Sequence, residues 1–199
     1  MGRKDGPKAG LAEANAGIPT PNSTLHEIIG KFQAVGLSIS QMVALSGGHT
    51  IGRARCESFA DRLSNFKGTG APDPTMDPNM LSELQKKCPQ GTVTDDNNVT
   101  LVPLDRNSID LFDNNYFKNL INSKGLLGSD QSLFSNISGS DAAQLTNDLV
   151  ISFSNNAGIF TTSFVDAIIK MGQINVHTGA DNGEIRKNCR SPNSLGVAS

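Results

Sequence analysis

Several things are scarce in this 199-residue chain, and each scarcity excludes something. No apolar run approaches the roughly 20 residues of a membrane span, so a membrane is not an expected partner. Lysine and arginine never form a run, and the formal net charge is only -2, so nucleic acid is not expected either. The first ten residues, MGRKDGPKAG, are polar and lack an apolar segment, so they do not read as a signal peptide. Cysteine occurs at three positions, Cys56, Cys88 and Cys189, whose spacing matches no zinc pattern. Histidine also occurs three times. His26 and His177 read as surface residues, whereas His49 directly follows two glycines, which let the backbone and a bulky planar group approach closely. Alone, such a histidine is more often structural than a ligand.

What is present is helical. Charged residues are 18% and hydrophobic ones 37%, both modest, but the apolar positions are well spread over one sizeable domain. Residues 1–23, rich in Gly, Ala, Pro and Asn, read as an extended loop. Thr24 with Glu27, and Ser38 with Gln41, have the spacing of capping boxes and open two helices. Gly36 stops the first, and the second ends near Gly47-Gly48-His49. Residues 51–63 can resume a helix, and Pro78 suits the first turn of another. Asp113 can cap a helix carrying Tyr116, Phe117, Leu120 and Ile121 on one face. Ser140 or Asp141 can start one with Leu145, Leu149 and Phe153 inward, and a last helix carries Phe160, Phe164, Val165, Ile168 and Ile169. Almost no strand alternation exists, so the expected class is all-α with long loops: a partial domain made of an extended loop (1–23), a helical part (24–190) and a tail (191–199).

Three sequons, at Asn22, Asn98 and Asn136, lie near turn-forming residues where a glycan could sit. Together with the cysteines they favour a secreted protein.

The stretch MVALSGGHTIGRARC (42–56) resembles the proximal-histidine signature of the class III (secretory plant-type) haem peroxidases. The resemblance continues through Pro19 and Pro21, the Asp73-Pro74 turn and FDNNYF (112–117). KGLLGSDQSLF (124–134), FVDAIIKMGQI (164–174) and IRKNCR (185–190) complete it, in the family's order. It implies the helical fold of that family and a donor:hydrogen-peroxide oxidoreductase, acting on small phenolic donors with haem b and calcium. A monomer is implied, extracellular or vacuolar in its parent form.

The resemblance also implies roles. His49 would be the axial ligand of the haem iron, and Asp130 would accept a hydrogen bond from its other ring nitrogen, making the imidazole more electron-donating. Asp130 could equally serve as a helix cap or turn residue. Thr50, Asp105, Ser108, Leu111 (through its carbonyl) and Asp113 would hold calcium, a set of hard oxygens. Without Thr50, the same loop would read simply as turn-forming. Leu104 stands where the family often has an aromatic ring beneath the imidazole. Pro19 would border the exposed haem edge where donors dock. Cys56 and Cys88 would form a disulfide, contributing roughly 3 to 4 kcal/mol in the chain-entropy model, and Cys189 would lack its usual partner.

No Arg-x-x-Phe-His-like segment occurs. In the family, that segment's histidine moves the peroxide proton and its arginine stabilises developing charge. Two readings follow. The chain is the proximal, haem- and calcium-binding portion of a peroxidase, beginning at an internal methionine of a longer protein; or it is a truncated, non-enzymatic remnant that binds calcium or a partner.

Overall fold

The computed structural model describes residues 2–8, 10–89, 100–135, 140–179 and 183–193. Asn98 and Asn136, two of the expected glycosylation sites, lie outside the described residues; Asn22 lies within them and is exposed.

Helices dominate, at 52% of the described residues against 7% in strands and isolated bridges, as the sequence implied. Two helices form for the local reasons read from the sequence. In α2 (Leu25–Ala34) the Thr24 side chain accepts from the Glu27 N–H while Glu27 reaches back to Thr24. In α3 (Ile39–Ser46) Ser38 and Gln41 do the same. Each exchange satisfies two otherwise orphaned N–H groups at the helix start. A residue with positive φ, Gly36 at 80°, separates the two helices.

Several expectations are corrected. Residues 1–23 are not wholly extended: α1 spans Leu11–Gly17, although none of its residues is buried. Residues 51–63 do not simply resume a helix. Gly52 turns the chain at φ 97°, and β1 (Arg53–Arg55) then pairs antiparallel with β2 (Leu101–Pro103) before α4 (Ala60–Ser64) begins. Pro78 does stand in the first turn of α5 (Pro78–Lys87), capped by Asp77.

The described residues divide into two compact units, one of which is Pro19–Ile168. It holds two apolar clusters. The first gathers Met42 and Val43 of α3, Tyr116, Phe117 and Leu120 of α6 (Asn115–Ile121), and Val150 and Phe153 of α8 (Asp141–Asn155). Phe160 of α9 (Ala157–Met171) completes its aromatic centre, packing edge to face on Phe117 with centroids 4.9 Å apart. The second surrounds the Cys56–Cys88 disulfide, whose Cα atoms are 5.7 Å apart, with Phe59, Leu63, Met80, Leu84 and Leu126.

The inward face of α8 differs from the expected one at Leu145, and other apolar side chains of α6 and α9 also face outward. Ile121, Leu145, Val165, Ile168 and Ile169 are exposed. In α8 the buried positions include Thr146 and Ser154, whose hydroxyls bond back to the carbonyls of Ala143 and Ile151 and so can enter the core.

The other unit combines the described residues before Pro19 with those after Ile168. There Lys4 pairs with His177 and Asp5 with Glu184 as short antiparallel bridges. Arg186 donates to the carbonyl of Gly6 at 2.8 Å. His177 is thus half-buried, while Cys189 is exposed and free. No helix among the described residues is long and apolar enough to cross a membrane.

Candidate functional site

His49 lies in a short 3-10 turn, Gly47–Thr50, that continues α3. The reason for Gly47 is internal. A β-carbon there would come within 2.5 Å of Phe160 and 2.7 Å of Phe117, so only glycine lets the turn lie on the aromatic centre. At Gly48 the nearest atom, on Phe164, would be an ordinary 3.6 Å away. The aromatic core of this chain therefore accounts for Gly47.

Nδ1 of His49 stands 2.8 Å from Oδ1 of Asp130. A carboxylate only accepts, so the imidazole carries its proton on Nδ1 and leaves Nε2 with a lone pair. The Asp130 side chain is 5% exposed and the His49 side chain 44%, so the ring is anchored on its buried side and open on the other. The charge of Asp130 raises the His49 pKa above its ordinary 6.5; burial opposes this and the hydrogen bond reinforces it.

Asp130 sits in α7 (Gly128–Gln131), where it makes no side-chain cap. Its carboxylate is committed to the site instead. Three residues hold α7 and the segment leading into it in place. The Ser129 N–H donates to the carbonyl of Pro21 at 2.8 Å. Gln131 bridges Gly125 N–H and the Leu120 carbonyl. The fully buried Arg62 donates to the carbonyls of Gly125 and Leu126 at 2.6 and 2.8 Å. Half-buried Pro19 lies just before this Pro21 segment.

Sequence reasoning missed one member. The buried Tyr116 hydroxyl donates to Oδ1 of Asp130 at 3.0 Å, the oxygen His49 also uses. Burial pushes the Tyr116 phenol well above its ordinary pKa, with the charge of Asp130 adding to the effect, so it stays a donor. The clue was its place as the chain's single tyrosine in FDNNYF, but its position on an apolar face marks it only as core. Leu104, partly buried, packs against the second apolar cluster.

The neighbouring Thr50 gathers the other candidate ligands. Its hydroxyl lies 3.3 Å from Oδ2 of Asp105 and 3.2 Å from Oδ1 of Asp113. Ser108 Oγ also lies 3.3 Å from Asp105 Oδ2. Asp105 is wholly buried, and its other oxygen accepts from the Asn107 N–H and the Asn119 side chain. Leu111, bonded through its N–H to the Ser108 carbonyl, is exposed. Asp113 also accepts from the Asn115 N–H at 2.7 Å, so it steadies the start of α6 from one residue before the cap position. The hydroxyl contacts are long for O–H···O bonds. No described lysine, arginine or histidine forms an ion pair with Asp105. Among the described residues no three acidic, histidine or cysteine side chains converge, so hydroxyls and carbonyls would have to complete any cation shell. Two carboxylates with flanking hydroxyls fit a hard cation. A half-open imidazole anchored through Nδ1 fits a haem iron.

A family model described as peroxidase matches residues 1–155. Peroxidase 54 of Arabidopsis thaliana is 46% identical over 198 residues, covering 100% of this chain and 52% of that protein. Peroxidase N of Armoracia rusticana is 48% identical over 191 residues, covering 96% and 55%. Peroxidase 15 of Ipomoea batatas is 47% identical over 193 residues, covering 97% and 56%. The chain spans about half the length of the curated relatives it matches.

Proposed function

The chain belongs to the peroxidase family, and on that premise we propose that it is the haem- and calcium-binding portion of a plant peroxidase that oxidises small phenolic donors with hydrogen peroxide. The observation that carries this reading is the 2.8 Å contact between His49 Nδ1 and Asp130, with the ring open on its other side. Haem b, when bound, supplies the redox-active iron. His49 would hold that iron through Nε2. Asp130 keeps the proton on Nδ1 and makes the ring a stronger donor. Thr50, Asp105, Ser108, Asp113 and the Leu111 carbonyl would hold calcium, fixing the backbone next to the iron ligand. Pro19 would border the route of phenolic donors. The reading includes secretion or vacuolar delivery of the parent protein and a monomeric state.

A second reading has one observation in its favour. The sequence contains no Arg-x-x-Phe-His-like segment, so no pair of that kind is at hand to move the peroxide proton and stabilise charge. The chain is then a non-enzymatic remnant that binds calcium or a partner.

Haem titration followed at the Soret band tests the first reading. The wild-type chain is expected to give a histidine-ligated spectrum that His49→Ala loses. An unchanged spectrum in the variant would overturn it. Negligible oxidation of a phenol is expected from the loaded chain under either reading, because neither supplies the missing pair; the coding sequence upstream of Met1 separates them, an in-frame distal arginine and histidine favouring the peroxidase portion and their absence the remnant.

A further inference from the structure

Tyr116 is the only tyrosine in the chain and is 2% exposed. Its ring is gripped edge to face by Phe117, with centroids 5.0 Å apart, and stands edge to face toward His49 at 6.3 Å. Its hydroxyl and His49 Nδ1 both donate to Oδ1 of Asp130, at 3.0 and 2.8 Å. An acceptor oxygen divides its lone-pair density among its donors. What the phenol draws from Oδ1, the imidazole loses. The Asp130 side chain is 5% exposed, and in so buried a setting hydrogen bonds that share one oxygen act strongly on one another.

Resting on the reading of His49 as an axial ligand, we propose that Tyr116 is a positioning residue that sets the donor strength of His49. It does so by competing for Oδ1 of Asp130 and by fixing which carboxylate oxygen faces the ring. Asp130 alone would push His49 toward imidazolate character. Tyr116 holds that push below its maximum. The consequence is electronic and is transmitted through a residue that touches neither iron nor substrate.

The test uses the full 199-residue chain, loaded with haem and reduced, with the iron–imidazole stretching band read by resonance Raman. Tyr116→Phe keeps the ring and removes the donor; the band is expected at higher frequency. Because there is one tyrosine, growth on 3-fluorotyrosine alters Tyr116 alone. That more acidic phenol is a stronger donor, and the band is expected to move the opposite way. If Tyr116→Phe fails to fold, the fluorinated chain decides by its own downward shift. A band that stays put, or moves the same way in both proteins, would overturn the proposal while leaving the axial assignment standing. Absence of any iron–imidazole band in the wild-type chain would instead sink the axial assignment. The competition at Asp130 is then read in the haem-free chain by NMR. The His49 Nδ1 proton is expected to move downfield in Tyr116→Phe, and an unmoved proton would overturn the proposal.

Discussion

The hydroxyl of Thr50 stands 3.3 Å from the buried carboxylate of Asp105 and 3.2 Å from Asp113, yet it has one proton to give. One of these contacts is therefore always without a hydrogen, and negative charge is left over beside the residue that follows His49. A hard cation would resolve this. Calcium is expected to raise the melting temperature and a chelator to lower it, by the mass-action amount of about 2.7 kcal/mol at a hundredfold excess over Kd. Asp105→Asn should abolish the calcium response. A melting temperature indifferent to calcium in the wild-type chain would remove calcium from the account.

Gly47 offers a packing prediction with an internal control. Gly47→Ala must displace Phe160 and Phe117, and overpacking of this kind typically costs about 1–3 kcal/mol. Gly48→Ala meets only an ordinary contact with Phe164 and should cost much less. Chemical denaturation of the two variants decides; equal losses would mean that the aromatic centre does not constrain Gly47.

Arg62 and Asp73 form a fully buried pair at 2.8 Å, and Arg62 also holds the carbonyls leading into the helix of Asp130. Removing the arginine strands Asp73, so Arg62→Ala should cost about 3–5 kcal/mol. Burial pushes the Asp73 carboxyl up, but hydrogen bonds from Thr75 and Arg62 outweigh it and leave the pKa below the ordinary 3.8. A depressed folded value means stability that is present above 3.8 and lost as pH falls through the lower folded value. Melting temperatures measured from neutral to strongly acid pH should drop less steeply for Asp73→Asn than for wild type in that acid range. Parallel curves would contradict the assignment.

His49 titrates in the opposite sense. Its folded pKa is raised, so the stability from its charged pairing with Asp130 is full below 6.5 and disappears as pH rises through the folded value. In the haem-free chain, NMR titration should give a His49 midpoint above 6.5, and Asp130→Asn should lower it. A midpoint that Asp130→Asn leaves in place would show that the carboxylate does not govern the ring.

Local signals were the legible part of the fold. The capping pairs Thr24–Glu27 and Ser38–Gln41, and Pro78 in a first turn, act within one helical turn and can be read from spacing alone. The strand pair was not legible. Each strand has three residues, and Arg53 meets Pro103 across a long intervening stretch. The face of α8 was misread because Thr146 and Ser154 satisfy their hydroxyls on the helix itself and enter the core as if apolar. At the site, His49 and Asp130 were recognised from motifs 81 residues apart, and the fold brings them into contact. Tyr116 was hidden because its ring follows the apolar pattern while only its hydroxyl reaches Asp130.

Asp130 holds the His49 proton on Nδ1 and leaves Nε2 with a free lone pair, as the proposed iron ligand needs. The most direct measurement is a long-range 1H–15N spectrum of the chain labelled with 15N-histidine, which has only three rings to assign, recorded above the His49 pKa. His49 is expected to show a protonated Nδ1 and an unprotonated Nε2, with its ring signals broadened or shifted once haem is added. A proton on Nε2, or a His49 signal that haem leaves untouched, would contradict it.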